Sequence, residues 1–416
     1  LKKLLLTLLA ASVISGSIFA SGFQINESGA KAMSMAGAFT GVANDASAVF
    51  FNPAAMTFLD GTQIMAGATL ISPSASFRGV SPEITEYKME DQLFTPINFF
   101  VTHKFSDDFA IGFSINNPYG LGTKWPSDWV GKYLAVETEV RTFFANISVA
   151  YKLMDELSIA IGGSYAYGDV TITKYSSLAP FNADAFVSLT GDGTAYGFNA
   201  AMFWTPIDRI RLGVTFRSES TFDFTGDGTA DYPSQFEGKI PTGNISASLT
   251  TPMNLTFGGS IKAADNFMFS FDWQWVGWSS YDKLEVTYDN FMDESGQPYV
   301  SASERNYRNS FIYRLGMDWG ISETFNLRGG LLYDFNPVRT EYVEPTLPDA
   351  DRIGFNLGFG LEVTEGFDLD VAYMYLVFKE RHVYNSQISY TDGFSPFNGV
   401  YNSNAHLLGL NLSYKF

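Results

Sequence analysis

The sequence predicts an all-β protein: an antiparallel transmembrane β-barrel of about fourteen strands, its lumen plugged by a small N-terminal segment. Three observations predict it. Segments along most of the chain alternate apolar and polar residues with period two. The second face of those segments is mostly Gly, Ser, Asn and Thr with isolated charges, and residues 21–60 lack the alternation and are dominated by small residues.

The chain opens as an export signal. Lys2 and Lys3 are a basic start, Leu4 to Ile14 an apolar core, and Ile18-Phe19-Ala20 ends on a small residue before Ser21. Residues 1 to 20 are therefore expected to be removed, since a retained anchor needs roughly 20 apolar residues. No later run is apolar enough to cross a bilayer as a helix, although 46% of residues are hydrophobic and 16% aromatic. The absence of cysteine excludes a lipid anchor on that residue, disulfides and thiolate metal sites.

The formal charge of −18 becomes two units more negative without Lys2 and Lys3. That excludes nucleic acid as a partner. It fits an exported protein with solvated loops.

The clearest strand is the last. Leu408, Leu410, Leu412, Tyr414 and Phe416 alternate with Gly409, Asn411, Ser413 and Lys415, as for a strand with lipid outside and water inside. The terminal Phe416 resembles the signal read by the outer-membrane assembly machinery. Phe311 to Trp319, Phe325 to Tyr333, Ile353 to Leu361 and Phe367 to Tyr375 repeat the pattern. So do Phe143 to Tyr151 and Leu157 to Tyr165, joined by a short Met154-Asp155-Glu156 turn, and Ile245 to Ile261 apart from Pro252. Alternation alone also suits a soluble sandwich. The small, polar second face decides for a barrel, with aromatics at the strand ends and no open edge left in lipid.

Long connections are expected after Thr221, Tyr281 and Thr340, as extracellular loops. Their carboxylates, Asp227, Asp231, Asp289, Glu294, Glu341 and Asp349, are read mainly as solvated, with cation-bridged contact to lipopolysaccharide as the sharper alternative. The hexapeptide Thr-Gly-Asp-Gly-Thr-Ala, starting at Thr190 and again at Thr225, reads as turn chemistry.

Residues 21–60 form the candidate plug, ahead of a barrel spanning 61–416. The segment ends in Phe50-Phe51-Asn52-Pro53-Ala54-Ala55-Met56, where Asn52 is a helix cap and Pro53 sits at the first helical position, so a short helical turn is expected.

Gly22-Phe23-Gln24-Ile25-Asn26-Glu27, Asn44-Asp45-Ala46-Ser47 and the motif Asn52, Pro53, Ala54 resemble the start of the FadL family of outer-membrane long-chain fatty acid and hydrocarbon transporters. The similarity continues in Asn117-Pro118-Tyr119-Gly120-Leu121 with Trp125 and Trp129, in Tyr196 to Asn199, in Asp272 to Trp275 with Trp278-Ser279, and in Pro348 to Arg352. The resemblance implies fourteen strands and an N-terminal hatch. It also implies capture of ligand on outer loops, an inner pocket against the hatch, and sideways exit through a gap in the third strand. Here that strand is Phe109 to Asn116, running into Asn117 and Pro118; a proline cannot donate to a ladder, so these two mark either the gap or merely a loop start.

A fatty acid needs an apolar tunnel and a cationic anchor, whereas a hydrocarbon needs only the tunnel. Strand parity points Arg308, Arg314, Arg217, Arg211 and Lys174 inward. Arg308 and Lys174 are the favoured anchors by resemblance, against the alternative of lumenal ion pairs with Glu219 or Asp318. Trp125, Trp129, Tyr133 and Leu134 are candidates for an outer apolar groove, or for packing within the loop. Phe50, Phe51 and Met56 are candidates for the floor of the inner pocket, or for packing of plug against wall. Fatty acid uptake, aromatic hydrocarbon uptake, and a structural or adhesive barrel remain the alternatives. Enzyme chemistry is not supported: no Gly-x-Ser-x-Gly occurs, and His103, His382 and His406 are scattered. No cofactor or metal is expected, and the working unit is read as a monomer.

Overall fold

The computed structural model of the chain describes residues 22–179, 181–389 and 396–416. The expected export signal, residues 1 to 20, lies outside the described residues. In chain order the strands are β1 (Thr62–Gly79), β2 (Glu86–Lys88), β3 (Ile97–Lys104), β4 (Phe109–Asn116), β5 (Gly120–Lys124), β6 (Glu137–Met154) and β7 (Leu157–Ser177). There follow β8 (Asp184–Ile207), β9 (Ile210–Arg217), β10 (Ser220–Asp231), β11 (Gly243–Thr251), β12 (Asn254–Ala264), β13 (Phe267–Val276) and β14 (Lys283–Met292). The last are β15 (Pro298–Glu304), β16 (Ser310–Gly320), β17 (Phe325–Asp334), β18 (Arg352–Thr364), β19 (Phe367–Phe378), β20 (Arg381–Val383) and β21 (Gly399–Lys415). Several lie end to end, so the wall is a closed antiparallel barrel of 14 staves.

β1 closes it, pairing with β3 on one side and along its whole length with β21 on the other, from Gln63↔Lys415 to Gly79↔Gly399. Closure leaves no unpaired edge where water is absent. The period-two pattern sets which face meets lipid. In β16, Phe311, Tyr313, Leu315, Met317 and Trp319 are exposed outward while Ser310, Ile312, Arg314 and Asp318 are buried. Short turns such as 155–156 and 365–366 lie at one end, where Gly366 adopts φ 73°.

Two of the three expected long loops are instead strand. The stretch after Thr221 is β10, and that after Tyr281 is the hairpin of β14 and β15. Residues 335–351 hold no strand, with one 3-10 turn at Thr340–Tyr342, and beyond β10 residues 232–242 are irregular as well, with one 3-10 turn at Ser234–Phe236. The two Thr-Gly-Asp-Gly-Thr-Ala copies are strand as well and pair with each other, Thr190↔Asp227, Gly191↔Gly226 and Asp192↔Thr225. The cause is physical. These staves rise past the lipid, where neither face has reason to be apolar, and alternation disappears while the hydrogen-bond ladder continues. Pro252 divides its long segment into β11 and β12, as a residue without an N–H must.

Residues 22–59 are almost wholly buried against the inner face of the wall. They form short helical turns at Ala30–Ser34 and Ala48–Phe51 and a 3-10 turn at Pro53–Phe58, which Asn52 caps by accepting from the Ala54 N–H at 3.2 Å. Small wall residues make room for them: a Cβ on Gly258 would approach Thr40 Cβ to 2.6 Å, and one on Gly316 would approach Met35 Cβ to 2.9 Å. Polar wall side chains satisfy the segment's backbone. Asp272 accepts from the N–H groups of Phe39 and Thr40 at 3.1 and 2.9 Å, Asn411 from Ala30 at 2.8 Å, and Asn356 donates to the Met33 carbonyl at 2.6 Å. Several inward charges are paired, Arg328 with Asp318 and Asp370, and Arg352 with Asp334.

Asp272→Ala leaves two buried N–H groups without an acceptor, each costing about 1–3 kcal/mol. The expected outcome is an N-terminal segment that is cut by protease in the otherwise intact barrel, and a lower unfolding temperature; an unchanged digestion pattern would contradict this account of how the segment is held.

Candidate ligand site

The third stave is interrupted. β4 pairs with both β3 and β6, ending at Asn98↔Asn116, but its continuation β5 pairs with β6 alone, from Gly120↔Arg141 to Lys124↔Glu137. Between them Pro118 has no N–H to give. The side chain of Asn117 spans the interruption, accepting from the Ile97 N–H at 2.8 Å and donating to the Thr142 carbonyl at 2.6 Å. On the lumen side residues 23–25 pair with the same stretch: Ile25 N–H bonds the Pro118 carbonyl at 2.8 Å and Gly120 N–H the Phe23 carbonyl at 3.0 Å. Gly22 N–H in turn bonds the Asp349 carboxylate at 3.0 Å.

A cavity of about 520 Å³ opens at this interruption. It is lined from inside by Phe23, Ile25 and Leu376 and from the outer face by Leu93, Ile97 and Phe143. A second cavity, also about 520 Å³, lies beyond Phe23 among Leu134, Val170, Ile172, Leu249 and Val286. Phe23, Leu121, Val140 and Leu347 line both and so stand between them. Phe23 is wedged among Tyr119, Trp278 and Tyr281, with ring centroids 4.8–6.2 Å away.

Two cations reach the second cavity, Lys174 and Arg305. Arg305 is buried and ion-paired with Glu344. Lys174 has no carboxylate within 4.0 Å among the described residues. Arg308 lies outside both linings; its N–H bonds the Pro337 carbonyl at 3.0 Å in the loop layer. The sequence reading thus missed Arg305, three residues away in an irregular stretch where strand parity gives no direction. Arg314 and Arg217 do point inward, Arg217 stacking at 3.8 Å from the Phe50 ring centroid.

Of the loop residues, Leu134 lines the second cavity, but Trp125 and Trp129 do not. They are fully buried and stacked on each other at 4.3 Å, and their indole N–H groups bond the carbonyls of Pro345 and Ala135. They build the cap over the barrel rather than a groove. Tyr133 bonds Asp184. Phe50, Phe51 and Met56 are buried lower down, between the N-terminal segment and the wall, and line neither large cavity. Among the described residues no group of His, Cys, Asp and Glu is placed to hold a metal.

A closed antiparallel barrel with apolar residues facing outward, a buried N-terminal segment against its inner face and apolar-lined cavities is the build of an outer-membrane protein. Residues 11–416 match the family described as outer membrane protein transport protein (OMPP1/FadL/TodX). The chain is 25% identical over 446 residues to the long-chain fatty acid transport protein of Escherichia coli O6:H1, covering 98% of this chain and 97% of that one. It is 24% identical to outer membrane protein P1 of Haemophilus influenzae, over the full length of both. In fold it is similar to a Pseudomonas aeruginosa FadL homologue, with TM-score 0.86, 21% identity and coverage of 95% and 100%. It is also similar to the toluene transporter TodX of P. putida, with TM-score 0.73, 13% identity and coverage of 96% and 99%. The chain belongs to the FadL/TodX family of outer-membrane transport proteins. It is a transporter rather than an enzyme.

Burial pushes the Asp349 carboxyl up to about 7, the Arg352 guanidinium opposing the rise. The neutral acid is therefore the form the fold prefers. Its contribution to stability is full below the ordinary carboxylate value of about 4 and is lost as pH rises through about 7. Asp349→Asn is expected to flatten the thermal stability profile over that window; an unaltered slope would show that other groups set it.

Proposed function

We propose that the protein carries out passive uptake of hydrophobic compounds, long-chain fatty acids foremost, with exit sideways through the interruption of the third stave. The observation that carries this reading is the cavity whose lining includes both lumenal residues such as Phe23 and outer-face residues such as Ile97 and Phe143. Ligand gathered at the outer loops enters the second cavity, passes Phe23, and leaves through the break at Asn117 and Pro118 into the bilayer. Each stage removes more apolar surface from water, so the free energy falls along the route without coupled energy. In this reading residues 21–60 act as a hatch that keeps the lumen closed to water, leaving the wall as the way out. The name of the E. coli relative supports a fatty acid as ligand.

Lys174 is the proposed anchor for the carboxylate, because Arg305, the other cation at that cavity, is engaged by Glu344. Aromatic hydrocarbon uptake by the same route is the second reading, favoured by the apolar character of the remaining lining and by the likeness to TodX.

In liposomes holding the purified protein, labelled oleate is expected to enter faster than in empty ones. Lys174→Ala is expected to lower oleate affinity by roughly tenfold, the loss of one charge-assisted hydrogen bond, and to leave toluene transfer unchanged. Equal losses for both ligands would remove Lys174 as an anchor, and no oleate transfer at all would leave the hydrocarbon reading.

A further inference from the structure

The far edge of the wall interruption is the stretch 89–97 between β2 and β3. It is fastened to β1 by Met89 N–H to the Ala75 carbonyl, by a reciprocal pair between Phe94 and Ile71 at 2.8 and 2.9 Å, and by Thr69 N–H to the Pro96 carbonyl. Towards the third stave it is fastened only at its ends, by Glu90 N–H to the Lys124 carbonyl at 2.8 Å and Ile97 N–H to the Asn117 side chain. Between those ends, among the described residues, no backbone bond crosses to β5. What crosses is a side chain. The Phe94 ring lies against Gly122 so closely that a Cβ there would have no room. Two residues earlier on the same strand face, a Cβ on Gly120 would meet Ile25 Cδ1 at 2.8 Å.

We propose that Phe94 is the shutter of the wall opening, that Gly122 is its seat, and that this contact sets the cross-section of the molecules that leave. The proposal deepens the sideways-exit reading and rests on it. A ladder parted in lipid would strand N–H and C=O groups at several kcal/mol apiece. Phe94 needs no such parting: its backbone stays bonded to Ile71 while the ring turns about its side-chain torsions. An extended acyl chain or a single flat ring passes a turned phenyl group, whereas a broad, rigid hydrocarbon does not.

The test uses the full-length protein in liposomes with two probes, labelled oleate and pyrene. Phe94→Ala is expected to raise pyrene transfer by roughly tenfold or more, the scale on which a pocket discriminates by size, and to change oleate much less. Gly122→Ala, whose Cβ displaces the ring from its seat, is expected to raise pyrene transfer as well, and adding it to Phe94→Ala is expected to bring no further gain, which separates an unseated ring from a misfolded strand. The pair Phe94→Cys with Gly122→Cys then tests the route itself. Bridged by a short reducible bis-thiol reagent, since the length of the Phe94 ring holds the two Cβ positions too far apart for a direct disulfide, it bolts the opening and should stop transfer; reduced, it should carry pyrene as Phe94→Ala does. Transfer that persists in the bolted protein overturns sideways exit. A working bolt with no pyrene gain in Phe94→Ala, or with a further gain when Gly122→Ala is added to it, overturns the shutter alone.

Discussion

Every other feature of this molecule depends on one constraint: within lipid, each backbone N–H and C=O needs a partner supplied by the chain itself. That constraint closes β1 on β21 and forbids a free edge. It also dictates how the wall can be broken. At 117–119 the ladder stops, yet the groups it would have served are taken up by the Asn117 amide and by residues 23–25 from inside. The interruption is therefore a rerouting of hydrogen bonds. Its cost is kept low because the asparagine side chain carries both a donor and an acceptor, as a peptide group does.

The lumen follows from the same logic applied to packing. A barrel this wide has more interior than inward side chains can fill, and residues 22–59 take up part of it. Because the segment is short of regular structure, its backbone must be satisfied from the wall, which is why Asp272, Asn356 and Asn411 face inward. Glycines at 258 and 316 do not line water; they receive Thr40 and Met35. Beyond this packed layer the two cavities form, lined mainly by apolar residues of the wall and of the N-terminal segment.

The barrel was legible because lipid on one face imposes period two, as Leu408 to Phe416 and Phe311 to Trp319 display. The strand status of Thr190 to Ala195 and of Thr225 to Ala230 was not. Above the membrane the apolar alternation lapses, and Gly-Asp-Gly looks like a turn until its partner strand is known. The stop at Asn117-Pro118 could be read from proline's missing donor, but the asparagine's role as a bridge depends on what lies opposite. Arg305 escaped notice because it falls between β15 and β16, outside any strand; Arg308, in the same stretch, was pointed inward by an assumed strand parity and favoured by resemblance, and it lies outside both cavity linings. Trp125 and Trp129 illustrate the opposite error: large aromatics in a loop were open to reading as a ligand surface or as packing, and only their burial chose.

The bond from Ala30 to Asn411 and those from Gly22 and Ile25 to Asp349 and Pro118 tie the front of the chain to wall segments spread over its whole length. Such contacts lie at very large sequence separation. Non-local pairing of this kind makes folding slow, since chain entropy is lost long before the contacts that repay it form. Seating of the segment and closure of β1 on β21 are therefore coupled: the hydrogen bonds of the one are complete only when the wall residues of the other are in place.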